Sequence, residues 1–395
     1  MRLVPLSLCS FALAAALSAC GGGGPDKSVV AVIGDVPYGT TPTDTAQLVG
    51  GPKFVSAINS DADISTVMHV GDIHSGKSYC TQAYNQTVFD QWKAFRMPLV
   101  YAIGDNEWAD CHKKAEGGGI YNATTGVIDY VLDSSGTPVN YAKGDPLANL
   151  ALVRSMFFAT SGQTLGKTMA VHTQAKEFDP AFPKDRDYVE NVWWMQSGVL
   201  FVTLNIPGGS NDNADPWYGV PTAAITAAQK QETADRSAAN LRWLDKAFRE
   251  AGNAGALGVV IQSQADLWYL DGNVASHVVG YKPYVDRIAA NSKSFGKPVL
   301  LLNGDSHFYR TDNPLIANSA CVTEPSTGGA AAACKDDVST VQPYNYNVAN
   351  FRRVTVHGST LPLEYLKLTI DPDANAANGV DAFGPFSWKR VQPAL

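Results

Sequence analysis

Histidine is scarce in this chain. Only seven of its 395 residues are histidine, so a metal site must draw mainly on carboxylate and amide groups. Positive charge is also limited, because 30 Lys and Arg face 37 Asp and Glu, giving a formal net charge of −7 with no basic stripe. This balance argues against nucleic acid as a backbone-bound partner. The length allows one large domain or two ordinary ones, and an apolar content of 45% is enough for a sizeable core.

Four short acidic loops each follow an apolar run that is typical of a β-strand. They read Gly34-Asp35, Gly71-Asp72, Gly104-Asp105-Asn106-Glu107 and Gly304-Asp305-Ser306-His307. Strands that end in a glycine and a carboxylate can converge at one edge of a sheet, where ligands bind in α/β folds. Clustered carboxylates repel one another unless a cation holds them. The pattern therefore predicts a site for one or two hard metal ions.

Predicted strands and helices alternate through the first quarter of the chain. Strands are predicted at 29–34, 64–71 and 99–104, with helices at 43–58 and 84–95. This β-α-β-α-β order indicates a parallel sheet with right-handed crossovers. Residues 117–145 are interpreted as a long insertion over the rim of the site. The later predicted elements are a strand pair at 193–206, helices at 223–251 and 284–291, and strands at 257–262, 299–303, 352–356 and 365–370.

The start of the chain resembles a bacterial lipoprotein signal. An apolar run at 6–17 is too short to span a bilayer, and it leads into Leu17-Ser18-Ala19-Cys20 and a glycine tract. The resemblance implies that residues 1–19 are removed, that Cys20 is lipidated, and that 20–28 form a tether ahead of one domain at 29–395. The alternative is an ordinary secretory signal in which Cys20 is incidental.

The residue after Cys20 bears on where the protein is anchored. Gly21 stands where an aspartate often retains such lipoproteins in the inner membrane. We therefore expect an exported protein in the outer membrane that faces the periplasm and contacts the membrane through its lipid alone.

The remaining cysteines predict disulfides. With Cys9 in the signal and Cys20 lipidated, Cys80, Cys111, Cys321 and Cys334 are left. In an exported protein these favour two bridges among three possible pairings. The short Gly/Ala-rich stretch between Cys321 and Cys334 favours a local bridge, which leaves Cys80 to pair with Cys111. Buried free thiols are the alternative.

The order of the acidic motifs and their strand context resemble the calcineurin-like metallophosphoesterase superfamily, which includes the purple acid phosphatases. The resemblance covers nearly the whole mature chain. It implies an α/β fold, the four-layer αββα sandwich of the metallo-dependent phosphatase type. It also implies two metal ions that share a bridging aspartate and a bridging hydroxide, and hence a metal-dependent hydrolase that acts on small phosphate esters.

The resemblance also implies residue roles. The positions that match metal ligands of the family are Asp35, Asp72, Asp105, Gln264, Asp305 and His307. Asp72 would bridge both ions, and Asp305 and His307 match two histidines of the family. Asn106 stands where the family has the histidine that contacts substrate and leaving group, so it would position the phosphoryl group. Catalytic roles are thus implied for Asn106, Asp72 and His307.

The chain departs from the family pattern at several ligands. Pro37 occupies the place of the first histidine and cannot ligate, so Tyr38 or His74 could serve instead. Gln264, or alternatively Gln262, stands in for the histidine after the fifth strand. Ser75 occupies the place of the purple acid phosphatase tyrosine, which argues against a purple iron centre.

These replacements share a chemical direction, from imidazole towards oxygen. Oxygen-rich sites favour Mn²⁺, Mg²⁺ or Ca²⁺ over Zn²⁺ or iron. Loss of the imidazole at Asn106 would weaken protonation of the leaving group, an effect of roughly 10²–10⁴-fold in rate. The alternative function is a non-catalytic, ligand-binding lipoprotein on a degenerate phosphoesterase fold.

Three further residues are assigned by their surroundings in the sequence. His69 lies inside a predicted strand and is expected to be a hydrogen-bonded core histidine. Asp110 and Asp266 are expected to be ordinary surface acids.

Overall fold

The computed structural model describes residues 25–221, 226–270, 274–324, 329–342, 345–359, 362–374 and 379–395. The predicted signal, with Cys9 and Cys20, lies outside the described residues. Within those ranges no helix has the length and apolar character needed to cross a membrane.

The α-helices of the described residues match the predicted ones and add three more. Their bounds are α1 Ala46–Ser60, α2 Gln82–Trp92, α3 Pro146–Phe157, α4 Gln174–Glu177, α5 Gly208–Asp212, α6 Ala227–Asn253 and α7 Lys282–Phe295. Helix α1 starts later than predicted, because the Asp44 side chain accepts a hydrogen bond from the Ala46 amide and holds the preceding turn. Helix α7 runs further than predicted and stops at Gly296, which has a φ of 71°.

Helix α1 contains a proline, Pro52, which interrupts the hydrogen bonding within the helix. Pro52 lacks the N–H that would bond the carbonyl of Leu48 one turn earlier. The side chain of Gln91 in α2 donates to that carbonyl at 2.8 Å. The orphaned acceptor is therefore satisfied by the neighbouring helix, which ties α1 to α2.

The strands form two large sheets and a separate hairpin. Their bounds are β1 Ser28–Ile33, β2 Ile64–His69, β3 Pro98–Tyr101, β4 Gly119–Asn122, β5 Val127–Tyr130, β6 Leu165–Gly166, β7 His172–Thr173, β8 Val192–Gln196, β9 Val199–Thr203, β10 Gly258–Gln262, β11 Val299–Asn303, β12 Arg310–Asp312, β13 Val322–Thr323, β14 Ala332–Ala333, β15 Phe351–Thr355, β16 Tyr365–Ile370, β17 Ala382–Phe383 and β18 Phe386–Val391. The orders are β17-β18-β16-β1-β2-β3-β6 and β14-β13-β12-β15-β11-β10-β9-β8-β7.

Both sheets have a parallel centre. In the first sheet β1, β2 and β3 are parallel, as the alternating sequence predicts. In the second sheet β9, β10, β11 and β15 are parallel. The predicted insertion at 117–145 contains the β4–β5 hairpin.

The hydrophobic core lies in three clusters. Strand β1 shows the division, because Val30 and Val32 pack with residues of the second sheet such as Phe201 and Leu300. The alternate residues of β1 face the other way and pack with side chains of α1, α2 and α3. A third cluster joins the second sheet to α6 and α7. The mixed α/β class is therefore confirmed.

Both predicted disulfides are present. Cys80 bonds to Cys111 and Cys321 bonds to Cys334. The first bridge joins the loop after β2 to the loop after β3, and these two loops carry Asp72 and Asp105.

A buried histidine joins the segments that follow β13 and β15. His357 lies 2.8 Å from Glu324 and 3.4 Å from Glu364, and Arg390 pairs with both glutamates at 2.6 Å. Burial alone would lower the pKa of His357, but the two glutamates outweigh it and raise the pKa to about 9.

This histidine predicts a pH-dependent stability. An unfolded histidine titrates near pH ~6.5, so the raised folded-state pKa gives full stabilisation below that pH. The stabilisation is lost as the pH rises through about 9. We expect the free energy of unfolding in urea to fall across this window, and to fall less steeply in His357→Gln. Equal pH slopes for the variant and the wild type would contradict the assignment.

Candidate metal centre

The predicted ligands lie together where the carboxyl ends of the parallel strands of the first sheet meet those of the second sheet. The amide nitrogen of Gln264 donates to Asp72 at 3.2 Å, to Asp105 at 3.1 Å and to Asp305 at 3.2 Å. The backbone N–H of Asp305 donates to Asp35 at 3.0 Å. Four carboxylates from four separate loops are thus joined around one side-chain amide and one peptide group.

Gln264 lies at the centre of the cluster but presents a donor. The backbone N–H of Gly208 donates to its Oε1 at 2.7 Å, and a peptide N–H can only donate. This contact turns the NH₂ group towards the carboxylates. In this arrangement Gln264 holds the carboxylates in place, and its side-chain oxygen does not face the position of a metal ion between them. This differs from the metal-ligand role expected from the sequence.

Asp35, Asp72 and His307 have the geometry to share a metal ion. Each offers one ligand atom, and the three atoms lie within 4.8 Å of one another. Among the described residues, Asp35 Oδ2 is buried without a hydrogen-bond partner. A buried carboxylate oxygen with no donor is costly unless a cation completes it. This orphaned oxygen and the oxygen-rich donor set fit a hard divalent ion.

The charges of the cluster support the same conclusion. Burial and the neighbouring Asp305 raise the pKa of Asp35 to about 8. Burial and the nearby Asp110 raise the pKa of Asp105 to about 8. Burial and the charge of Asp105 raise the pKa of Asp72 well above its usual range. A divalent cation would remove the repulsion that holds these protons on the carboxyl groups.

The Gly-Asp motif has a steric reason. Asp35, Asp72 and Asp305 have positive φ angles of 49°, 59° and 73°, a conformation that residues other than glycine rarely adopt. A Cβ on Gly104 would lie 2.0 Å from Asp72 Oδ1, and a Cβ on Gly304 would lie 2.5 Å from Asp35 Oδ2. Gly104 and Gly304 are therefore needed because the carboxylates of Asp72 and Asp35 lie against their backbone.

Asn106 is linked to the cluster through Tyr38. Its side-chain amide donates to the Tyr38 hydroxyl at 2.8 Å, and that hydroxyl lies 2.9 Å from His307 Nε2. The backbone N–H of Asn106 points to Asp72 at 3.4 Å. Of the two residues that could replace the histidine at Pro37, Tyr38 therefore reaches the site.

His74 does not take part in this network. One of its ring nitrogens lies within 4.8 Å of the sulfur atoms of Cys80 and Cys111, and its ring packs edge-on against Tyr84. The two cysteines form a disulfide, so this group is not a metal site. Burial lowers the pKa of His74 to about 4, as expected of a core histidine.

Two residues of the sheets are structural. Gln262 donates to the carbonyl of His69 at 2.7 Å inside the core, so it does not serve as the alternative ligand. His69 is fully buried, lies 2.7 Å from the Val36 carbonyl through Nε2 and accepts from Gly71 through Nδ1. The prediction that it is a hydrogen-bonded core histidine is confirmed.

The expectation of surface acids at Asp110 and Asp266 is wrong. Asp266 is 2% exposed, and its N–H donates to Asp305 Oδ2 at 3.0 Å. Its carboxylate pairs with buried Arg353, which also makes a bidentate pair with Asp312 at 2.7 and 2.9 Å. Asp110 is half-buried in the cavity wall and pairs with Lys113 at 2.8 Å. Two adjacent arginines, Arg352 and Arg353, stand within the otherwise mainly apolar strand β15. This was the sequence signal that could have indicated a buried acidic partner for Arg353.

An open cavity of about 420 Å³ lies over the cluster. Its floor includes Asp72, Asp105, Asn106, Asp305 and His307. Its outer wall is formed mainly by polar side chains, namely Lys77, Asp110, Lys113, Glu116, Asp215, Tyr269, His277 and Tyr281. The volume suits a small-molecule ligand.

Comparison with known proteins gives distant structural likenesses, of which one is described below. No family model matches this chain, and no curated protein matches it. A purple acid phosphatase from yellow lupin seeds aligns with a TM-score of 0.38 and 13% identity over 87% of this chain. This chain spans about half of that protein, 49% of its length. A similarity of this size assigns neither activity nor residues.

Gly104→Ala tests whether the close approach of the Asp72 carboxylate to the backbone of Gly104 is needed for metal binding. The added methyl group would force Asp72 away, so we expect metal affinity to fall by roughly 10–100-fold, as when a residue that orients a ligand is lost. Titration of the folded, metal-free protein with Mn²⁺ by calorimetry measures this. Gly50→Ala in α1 is the matched control, because a Cβ there meets nothing within 4 Å. Equal Mn²⁺ affinity in both variants would contradict the assignment.

Proposed function

We propose that this protein is a metal-dependent phosphoesterase that hydrolyses small phosphate esters. The observation that carries the proposal is the cluster of Asp35, Asp72, Asp105 and Asp305 beneath an open cavity, with Asn106 and His307 beside it. Hard divalent ions bind such oxygen-rich sites, and phosphate esters are the common substrates of paired hard ions. The motif order of the calcineurin-like superfamily supports the same reaction class.

We infer the finer architecture as well. One hydrophobic cluster lies between the two sheets. A second lies between the first sheet and its helices, and a third lies between the second sheet and its helices. This order of layers supports a four-layer αββα sandwich of the metallo-dependent phosphatase type.

The donor set supports two divalent ions. Asp35 and His307 would hold one ion, Asp105 and Asp305 would hold the other, and Asp72 would contribute to both. Ions held there would supply an activated water as the nucleophile and neutralise charge on the phosphoryl group. Carboxylate oxygens favour Mn²⁺, Mg²⁺ or Ca²⁺.

The chain's own residues bind and orient the ester. Asn106 presents an amide that can donate to a phosphoryl oxygen, and its hydrogen bond to Tyr38 fixes the amide plane. Lys77 is exposed at the cavity and adds a positive charge for an anionic substrate. Glu107, which is fully buried and accepts from Tyr101 and Gly104, holds the loop that carries Asn106.

Asp72→Asn tests the reaction. The amide has the same shape but lacks the charge, so turnover of aryl phosphates with restored Mn²⁺, Mg²⁺ or Ca²⁺ should fall by more than roughly 100-fold, the upper effect of losing a merely orienting residue. Asp129→Asn, on the exposed β4–β5 hairpin, is the control and should keep full activity. A folded wild type that hydrolyses no ester with any metal would contradict the proposal and favour the ligand-binding lipoprotein.

We also propose that the protein is exported and anchored in the outer membrane through Cys20. We expect the wild type and Cys9→Ser to fractionate with the outer membrane after expression in a Gram-negative host. Cys20→Ser should lose the lipid and appear in the soluble periplasmic fraction or remain unprocessed. Outer-membrane recovery of mature Cys20→Ser equal to that of the wild type would contradict the anchor.

A further inference from the structure

Ester hydrolysis needs a proton for the leaving oxygen, and Asn106 cannot supply it. A side-chain amide does not ionise near neutral pH, so it orients a substrate but gives up no proton. Esters with poor leaving groups therefore require another acid that faces the same cavity.

Glu116 meets the geometric requirements for that acid. It lines the cavity with Asn106 and is only 2% exposed. Its Oε2 is buried and has no hydrogen-bond partner among the described residues. Glu116 Oε1 and Asn106 Oδ1 lie 3.5 and 3.6 Å from the point where a Cβ on Gly76 would stand. Since Gly76 has no side chain, the space between the two residues stays open.

The turn that carries Glu116 is fixed in place. The side chain of Asn140 donates to the Glu116 carbonyl and to the Cys111 carbonyl, both at 2.9 Å. Gly117 follows with a φ of 88°, and a Cβ there would lie 2.5 Å from Asn140 Oδ1. The backbone therefore holds the carboxyl group in position, while its buried Oε2 is left for another partner.

The surroundings of Glu116 favour the protonated acid. Burial and the negative charge of Asp110 raise its pKa well above the usual range, and Asp105 adds to this effect. Lys113 and Lys77 act in the opposite direction. Lys113 is itself paired with Asp110 and Asp215 at 2.8 and 3.1 Å.

We propose that Glu116 is the general acid that protonates the leaving group of the ester, beside Asn106, which holds the phosphoryl group. This inference rests on the proposed phosphoesterase function. It assigns the protein esters of alcohols and unactivated phenols, whose oxygens leave only with a proton.

The step balances with water as the only co-reactant. A water oxygen forms the new bond to phosphorus as the bond from phosphorus to the ester oxygen breaks. The electron pair of the broken bond stays on the ester oxygen, which takes the proton of Glu116 and leaves as an alcohol. The proton released by the attacking water, passed through solvent, restores the carboxylic acid.

The dependence on leaving group tests this role with Glu116→Gln in the metal-restored protein. Phenyl phosphate needs the acid, so its kcat should fall by roughly 10²-fold or more. The dinitrophenyl ester leaves as a stable anion, so its kcat should remain nearly unchanged.

The other outcomes overturn the assignment. Equal loss with both esters would make Glu116 structural, and no loss with either would exclude it. A leaving-group-dependent loss in His277→Gln, but not in Glu116→Gln, would move the role to the histidine that also lines the cavity. An inactive wild type would refute the phosphoesterase and this role together, whereas an active wild type with an unaffected Glu116→Gln would refute this role alone.

Discussion

The repulsion among four buried carboxylates is the constraint on which the site depends. Asp35, Asp72, Asp105 and Asp305 arrive from four loops, and the Gln264 amide and one peptide N–H are the donors that join them. Burying charges this close is unfavourable unless protons or cations neutralise them. The fold holds the carboxylates close together in spite of this repulsion. Three of the aspartates have a left-handed backbone conformation, and glycines stand where a Cβ would collide with a neighbouring atom. Strain of this kind typically accompanies function.

Supporting contacts fix the cluster from behind. Arg353 pairs with Asp266 and Asp312, and the Asp266 backbone in turn holds Asp305. The Cys80–Cys111 bridge places sulfur atoms 3.3 and 3.5 Å from the carbonyl of Asn106. Ligands oriented in this way need little rearrangement when an ion binds, and such outer contacts matter nearly as much as the ligands. The site is therefore built as a unit, although its parts lie far apart in the sequence.

The sequence predicted those parts that depend on local pattern. Glycine and aspartate at the end of apolar runs indicated the strands and the convergence of Asp35, Asp72 and Asp105, because the parallel strands β1, β2 and β3 share their carboxyl edge. Asp305 follows β11 of the second sheet, so the expectation that all four loops leave one sheet was wrong. The sequence could not predict contacts made across the fold. Gln264 turns its nitrogen inward because of Gly208 in another loop, and Asp266 is buried because Arg353 arrives 87 residues later. Neither contact leaves a periodic signal.

Anomalous diffraction from crystals grown with Mn²⁺ would show whether the carboxylate cluster binds a divalent ion. We predict a manganese peak within bonding distance of Asp35, Asp72 and His307, together with loss of the short contact between His307 and Tyr38. A well-ordered crystal at saturating Mn²⁺ with no peak at these residues would contradict this prediction. The carboxylates would then be stabilised by protons alone, and the cavity above them would not be a metal-dependent active site.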